Sequence, residues 1–165
     1  MTTPRCAKRL APVLLLLVVS TAACGSDDSG ALSKADYQKQ ADAVCAAAGE
    51  KMNPIFEEIF PKLETATEAE RKDAVDQMSK VIHQEIDDLA ALEPPSDMAD
   101  DVDAMLASVR TAADTMADQG ADFWLNDSDP FADANQKAAA LGLKACADRS
   151  AVSCSVPSSP SVTAF

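Results

Sequence analysis

Aromatic side chains are scarce in this sequence, at 4% with one Trp and one Tyr, and histidine occurs once, as His83. The first shortage leaves few bulky groups for a core. The second removes most chemistry that sets a base beside a nucleophile. A di-iron bundle site is excluded, because it needs two Glu-x-x-His elements and Lys80 stands three residues before His83. Cations are also short: 14 basic residues face 27 acidic ones, a net charge of −13, which excludes the electrostatic footprint of a DNA or RNA binder. The five glycines form no P-loop, Rossmann or G-x-S-x-G pattern, and H-E-x-x-H is absent. No segment alternates polar and apolar residues as a half-buried strand does, so no sheet is expected. Alanine, by contrast, fills 32 of the 165 positions. A chain of this length makes one compact domain, and so much Ala favours helices packed closely through small side chains.

The longest apolar run, Leu10 to Val19, is about half of the roughly 20 residues that span a bilayer. It follows Arg5, Lys8 and Arg9 with no acid before it, and it ends in Ser20-Thr21-Ala22-Ala23, the layout of a secretory leader with a small-residue cleavage site. Thr21-Ala22-Ala23-Cys24 resembles the lipobox of bacterial lipoproteins, with Thr21 where that family usually has Leu. The resemblance implies that Cys24 becomes the first mature residue and carries a diacylglycerol thioether. Bacterial lipoproteins hold two or three acyl chains. Each buried CH₂ contributes about 0.8 kcal/mol, so that number anchors a protein stably where a single chain does so only marginally. The other reading is an ordinary secreted protein, cut after Ala23, in which Cys24 is an incidental thiol.

The expected organisation is a cleaved leader at 1–23, a polar tether at 24–32, a helical domain at 33–149 and a disordered tail at 150–165 with six Ser and two Pro. Loss of the leader takes three cations and no acid, leaving 11 basic and 27 acidic residues and a net charge of −16. That charge keeps a tethered domain soluble and away from an anionic membrane surface.

Ser33-Lys34-Ala35-Asp36 is a capping box, with Leu32 and Tyr37 spaced as a hydrophobic staple. The apolar positions from Tyr37 through Val44, Met52, Ile55 and Ile59 to Leu63 keep helical phase across Gly49, Pro54 and Pro61. They predict one long, kinked helix, or two helices if Asn53 caps a second one starting at Pro54. Thr67-Glu68-Ala69-Glu70 caps a helix whose stripe runs Ala74, Val75, Met78, Val81, Ile82, Ile86, Leu89, Leu92. After Glu93-Pro94-Pro95, Ser96 opens a third helix with Met98, Val102, Met105, Val109, Ala112 and Met116 on one seam, ended by Gly120. Asp129 and Pro130 provide a cap and first-turn pair for a fourth, in which Phe131, Ala134, Ala138, Leu141 and Ala145 repeat as heptads. Four amphipathic segments with short connections predict an all-α, up-down-up-down four-helix bundle.

Cys6 leaves with the leader, so the exported chain holds Cys45, Cys146 and Cys154 besides Cys24. In such a bundle the start of the first helix lies beside the end of the fourth, which favours a Cys45–Cys146 bridge over Cys45–Cys154 or Cys146–Cys154. The favoured bridge leaves Cys154 as a free thiol in the tail. Tyr37 followed by Cys45, the Leu92-Glu93-Pro94-Pro95 hinge, and Leu141-Gly142-Leu143-Lys144-Ala145-Cys146 together resemble small helical lipoproteins of high-GC Gram-positive bacteria, over about residues 33 to 148. The resemblance implies an extracytoplasmic location and a disulfide, and no particular activity.

His83 projects to the side of its helix away from the apolar stripe, so it is expected in solvent. Met78, Met98, Met105 and Met116 have the softness of copper ligands but fall on the predicted seams, where Met fills a core. Asp127, Asp129 and Asp133 lack the turn Gly and terminal Glu of an EF-hand, and Pro130 intervenes, which leaves them helix-capping roles. No metal site and no cofactor are expected, and no enzymatic activity. Phe123 and Trp124 stand in the longest predicted connection, where they serve as a lid over the bundle end or, with Phe131, as an anchor patch for a partner. The expected function is that of a membrane-anchored, extracytoplasmic, non-enzymatic interaction or binding module, whose partner is a protein of the envelope or a small ligand. The alternative is a carrier that holds a lipid or other apolar ligand between its helices.

Overall fold

The computed structural model describes residues 31–126 and 129–148, and among these every regular element is helical. The leader, Cys24, Asp127, Cys154 and the tail lie outside the described residues. Helix α1 spans Lys34–Ile59, α2 Glu68–Ala90, α3 Ala99–Gln119, α4 Ala132–Ala140 and α5 Lys144–Ala147. Short 3₁₀ turns at Phe60–Lys62 and Gly120–Leu125 follow α1 and α3.

Ser33 and Thr67 cap α1 and α2, but only Thr67 closes a reciprocal box: at Ser33 the Asp36 carboxylate accepts from the Ser33 hydroxyl at 2.6 Å and not from its amide. The Ser33 hydroxyl accepts from the Asp36 amide at 3.2 Å. Thr67 does the same for Glu70 at 3.2 Å while the Glu70 carboxylate accepts from the Thr67 amide at 2.8 Å, so two amides without helical partners are satisfied reciprocally. Helix α1 runs unbroken through Pro54, which lies on its exposed face. There the carbonyl left without an N–H donor can turn to water. The helix ends at Ile59 rather than Leu63, because Pro61 tightens the last turn to 3₁₀.

The long helices bury most of the stripes foreseen for them, but Val44, Met52 and Val81 are only half-buried, and Leu92 lies half-buried beyond the end of α2. Met78, Ile82, Ile86 and Leu89 of α2, and Val102, Met105, Val109 and Met116 of α3, are at most 3% exposed, and full burial of such a side chain contributes about 1.5–3 kcal/mol. Helix α1 packs on α2, α2 on α3, α3 on α4, and α5 returns to α1. The core has two parts. One, around Tyr37, Leu89, Met105, Leu141 and Leu143, lies by the start of α1; the other, around Ile59, Val75, Ile82 and Met116, lies by its end.

Two expected helix starts move. Ser96 does not cap α3: the Met98 amide donates to the Pro95 carbonyl at 2.9 Å, a turn forms over 96–98, and the helix begins at Ala99. Pro130 is not the first residue of α4 either. Asp129 Oδ1 accepts from the Phe131 amide at 2.9 Å, and this Asx turn delays the helix to Ala132.

The fourth helix is not continuous to Ala145. Gly142 takes φ +77°, its amide donates to Ala139 O at 3.0 Å, and the Leu143 amide donates to Ala138 O at 2.9 Å, a Schellman ending. The break turns Leu143 fully into the core and lets the four-residue α5 lie on α1. A heptad continued through Leu141 and Ala145 would have missed that burial.

Candidate functional site

Cys45 and Cys146 form a disulfide, with Cα atoms 5.1 Å apart, that ties α1 to α5 across 101 sequence positions. Two further contacts hold the same limb. Gln38 Nε2 donates to Leu141 O at 2.8 Å, and the Ala145 amide donates to Asp42 Oδ1 at 2.8 Å, giving the start of α5 the cap its own sequence lacks. Tyr37 is fully buried beside them, and its hydroxyl has no hydrogen-bond partner among the described residues. Burial, and secondarily the Asp103 carboxylate, raise its pKa above the ordinary phenol value.

The opposite end of the molecule carries the aromatic residues. Phe56 of α1 and Phe60, the first residue of the 3₁₀ turn that follows it, are four positions apart and stack at 5.2 Å. Gly120, at φ +54°, ends α3 and turns the chain into the 3₁₀ segment. That segment sets Trp124 edge-on against Phe60 at 5.9 Å, Phe56 at 6.4 Å and Phe123 at 5.4 Å. Trp124 Nε1 donates to the Arg71 carbonyl at 2.9 Å, and Arg71 Nη1 donates to Ala66 O at 2.6 Å, so the indole is fastened to the start of α2.

Of the residues singled out as a patch, Phe123, Trp124 and Phe131 all pack, half-buried, against the same part of the core. Phe56 and Phe60 were not foreseen in it, although their i, i+4 spacing was readable in the sequence. Leu125 was also unforeseen. It follows Trp124 directly and is 65% exposed, the large apolar side chain left most in solvent among the described residues.

Charged groups surround this end. Lys62 bridges Glu58 at 3.4 Å and Glu70 at 3.2 Å, which raises the Lys62 pKa. The Glu70 carboxyl falls to about 2, chiefly through the Thr67 amide, then the Thr67 hydroxyl and Lys62. Asp133 is lowered by Lys137, with which it is paired, and by the Ser108 hydroxyl at 2.7 Å.

Two shallow grooves separate α1 from α2. One, of about 250 Å³, is lined by Ile55, Ile59, Lys62, Glu70 and Asp73. The other, of about 260 Å³, is lined by Ala43, Val44, Ala47, Lys51 and Val81, with Glu85 in its wall at 4% exposure. Glu85 was not singled out from sequence, although it stands on the apolar face between Ile82 and Leu89. His83 is exposed on α2, and Met78, Met98, Met105 and Met116 are buried as core. Among the described residues no group of three or more His, Cys, Asp or Glu is arranged to hold a metal ion, and no helix is long and apolar enough to cross a membrane. Comparison with protein-family models, with curated proteins and with solved structures gives no match to this chain.

Proposed function

We propose that this chain is an extracytoplasmic lipoprotein, held to the outer face of the cell membrane by acyl chains on Cys24, whose helical domain works as a non-enzymatic interaction module. The observation that carries the reading is the Cys45–Cys146 disulfide, a bond that persists in oxidising compartments and is rare in the cytosol. It agrees with the Arg5-to-Ala23 leader and with Cys24 placed where that leader ends. In this reading the helix order is that of an up-down four-helix bundle whose fourth member is the broken pair α4 and α5. The aromatic end, with Phe123, Trp124 and Phe131, is the contact surface for an envelope protein.

Fatty-acid labelling followed by membrane fractionation tests the anchor. Wild-type protein should take up label and pellet with membranes, and Cys24→Ala should lose both properties. Persistence of either in the variant overturns the anchor.

A further inference from the structure

We infer that the aromatic end of the domain is the membrane-distal docking tip, and that it receives a protein segment presenting an apolar anchor flanked by Lys or Arg. The inference deepens the anchored-module reading, on which it rests for the orientation and for the aromatic end as the contact surface. The tether would enter at Leu32, beside the start of α1, whereas Phe60 and the Trp124 cluster lie at its end. At 1.5 Å per residue the 26 residues of α1 separate the two by about 39 Å. A surface carried that far from the anchor faces other proteins rather than the bilayer to which the chain is tied.

The chemistry of the tip selects the kind of partner. Leu125 is exposed beside half-buried Phe123 and Trp124, a projecting apolar point next to a rigid aromatic bed. Exposed acids Glu64, Glu68, Asp118, Asp122 and Asp129 lie on the connections and helix ends of the same region, and none of them is in an ion pair among the described residues. Among the cations there, Lys62 pairs with Glu58 and Glu70 and Lys72 with Asp76, while Arg71 donates to the neutral Ala66 carbonyl and keeps its charge, one cation against these five unpaired acids. The uncompensated charge is therefore negative, which repels an anionic lipid surface and attracts a basic protein segment.

Trp124 is the single Trp of the chain, so its emission reports on the tip directly. The full mature protein is titrated with a synthetic amphipathic Leu/Lys peptide, with its Leu/Glu counterpart, and with phosphatidylglycerol vesicles. The expected result is a saturable shift of Trp124 emission with the Leu/Lys peptide alone. That affinity should fall at least tenfold in Leu125→Ser and in Asp122→Lys, both exposed positions whose thermal unfolding should match wild type. No saturable shift, an equal shift with the Leu/Glu peptide or with vesicles, or unchanged affinity in Leu125→Ser overturns the inference. Vesicle binding at the tip would assign the surface to lipid instead. The titration needs no acyl chain, so its failure is separate from failure of Cys24 labelling.

Discussion

Thr67 and Glu70 show how much of a helix start rests on two side chains. Removing the hydroxyl in Thr67→Ala leaves the Glu70 amide without its partner and should cost about 1 kcal/mol of unfolding free energy, measured by urea denaturation. The Glu70 carboxyl, held at about 2 by the Thr67 amide, the Thr67 hydroxyl and Lys62, sits below its ordinary value of 4.5. A group whose folded pKa is depressed stabilises the fold above the ordinary value and loses that contribution as pH falls through the folded one. Glu70→Gln should therefore lower the urea midpoint at neutral pH, and the gap from wild type should close as the pH falls from about 4.5 towards 2. A gap independent of pH would show that Glu70 acts through packing instead of charge. Gly142 is constrained by both conformation and space: φ is +77°, and a Cβ there would meet Gln38 Nε2 at 2.6 Å. Gly142→Ala should destabilise by about 1–2 kcal/mol from the left-handed backbone alone. Displacement of the Gln38 amide from Leu141 O would add to that loss, which chemical denaturation can measure.

Elements depend on these residues for where they begin and end, and on tertiary contacts for whether they form. Helix α5 has four residues, far too few to persist alone. It is held by the disulfide, by Asp42 and by Leu143 in the core. The Cys45→Ser/Cys146→Ser double variant frees a loop of 101 positions. In the chain-entropy account it should lose roughly 4–5 kcal/mol of stability, read from denaturation under matched conditions. The 3₁₀ segment at Gly120–Leu125 is held in the same manner by Trp124, whose ring packs on Phe56 and Phe60 while its N–H reaches Arg71 O. Trp124→Phe keeps an aromatic ring but drops the donor, and should cost about 1 kcal/mol in thermal or urea unfolding. The Asx turn at Asp129 and the turn at Pro95 carry a simpler lesson. A residue able to cap a helix can instead close a turn one step earlier, and sequence spacing alone does not choose between the two.

For the whole molecule, the axis of α1 relates the two proposed working ends. The disulfide lies at the end near Tyr37, where the proposal has the tether enter, and the aromatic cluster lies at the other. The net charge of −13 follows from composition and gives the molecule a field that any partner must meet. Binding at the tip by a basic segment should accordingly weaken as salt is raised, and an association insensitive to ionic strength would argue for a purely apolar contact.

The sequence by itself determined the all-helical class, the caps at Ser33 and Thr67, and the buried stripes of α1, α2 and α3. Each of these is a local matter, settled by side chains within four residues of one another. It also ranked Cys45 with Cys146, because antiparallel neighbours bring the chain ends together. Only the tertiary structure decided that the fourth segment breaks at Gly142, that Leu143 enters the core, and that Phe56, Phe60 and Trp124 meet at one end. Gly142 supplies the local means for the break, but the burial of Leu143 and the meeting of Trp124 with Phe56 and Phe60 depend on contacts between residues tens of positions apart, which spacing within one segment does not display.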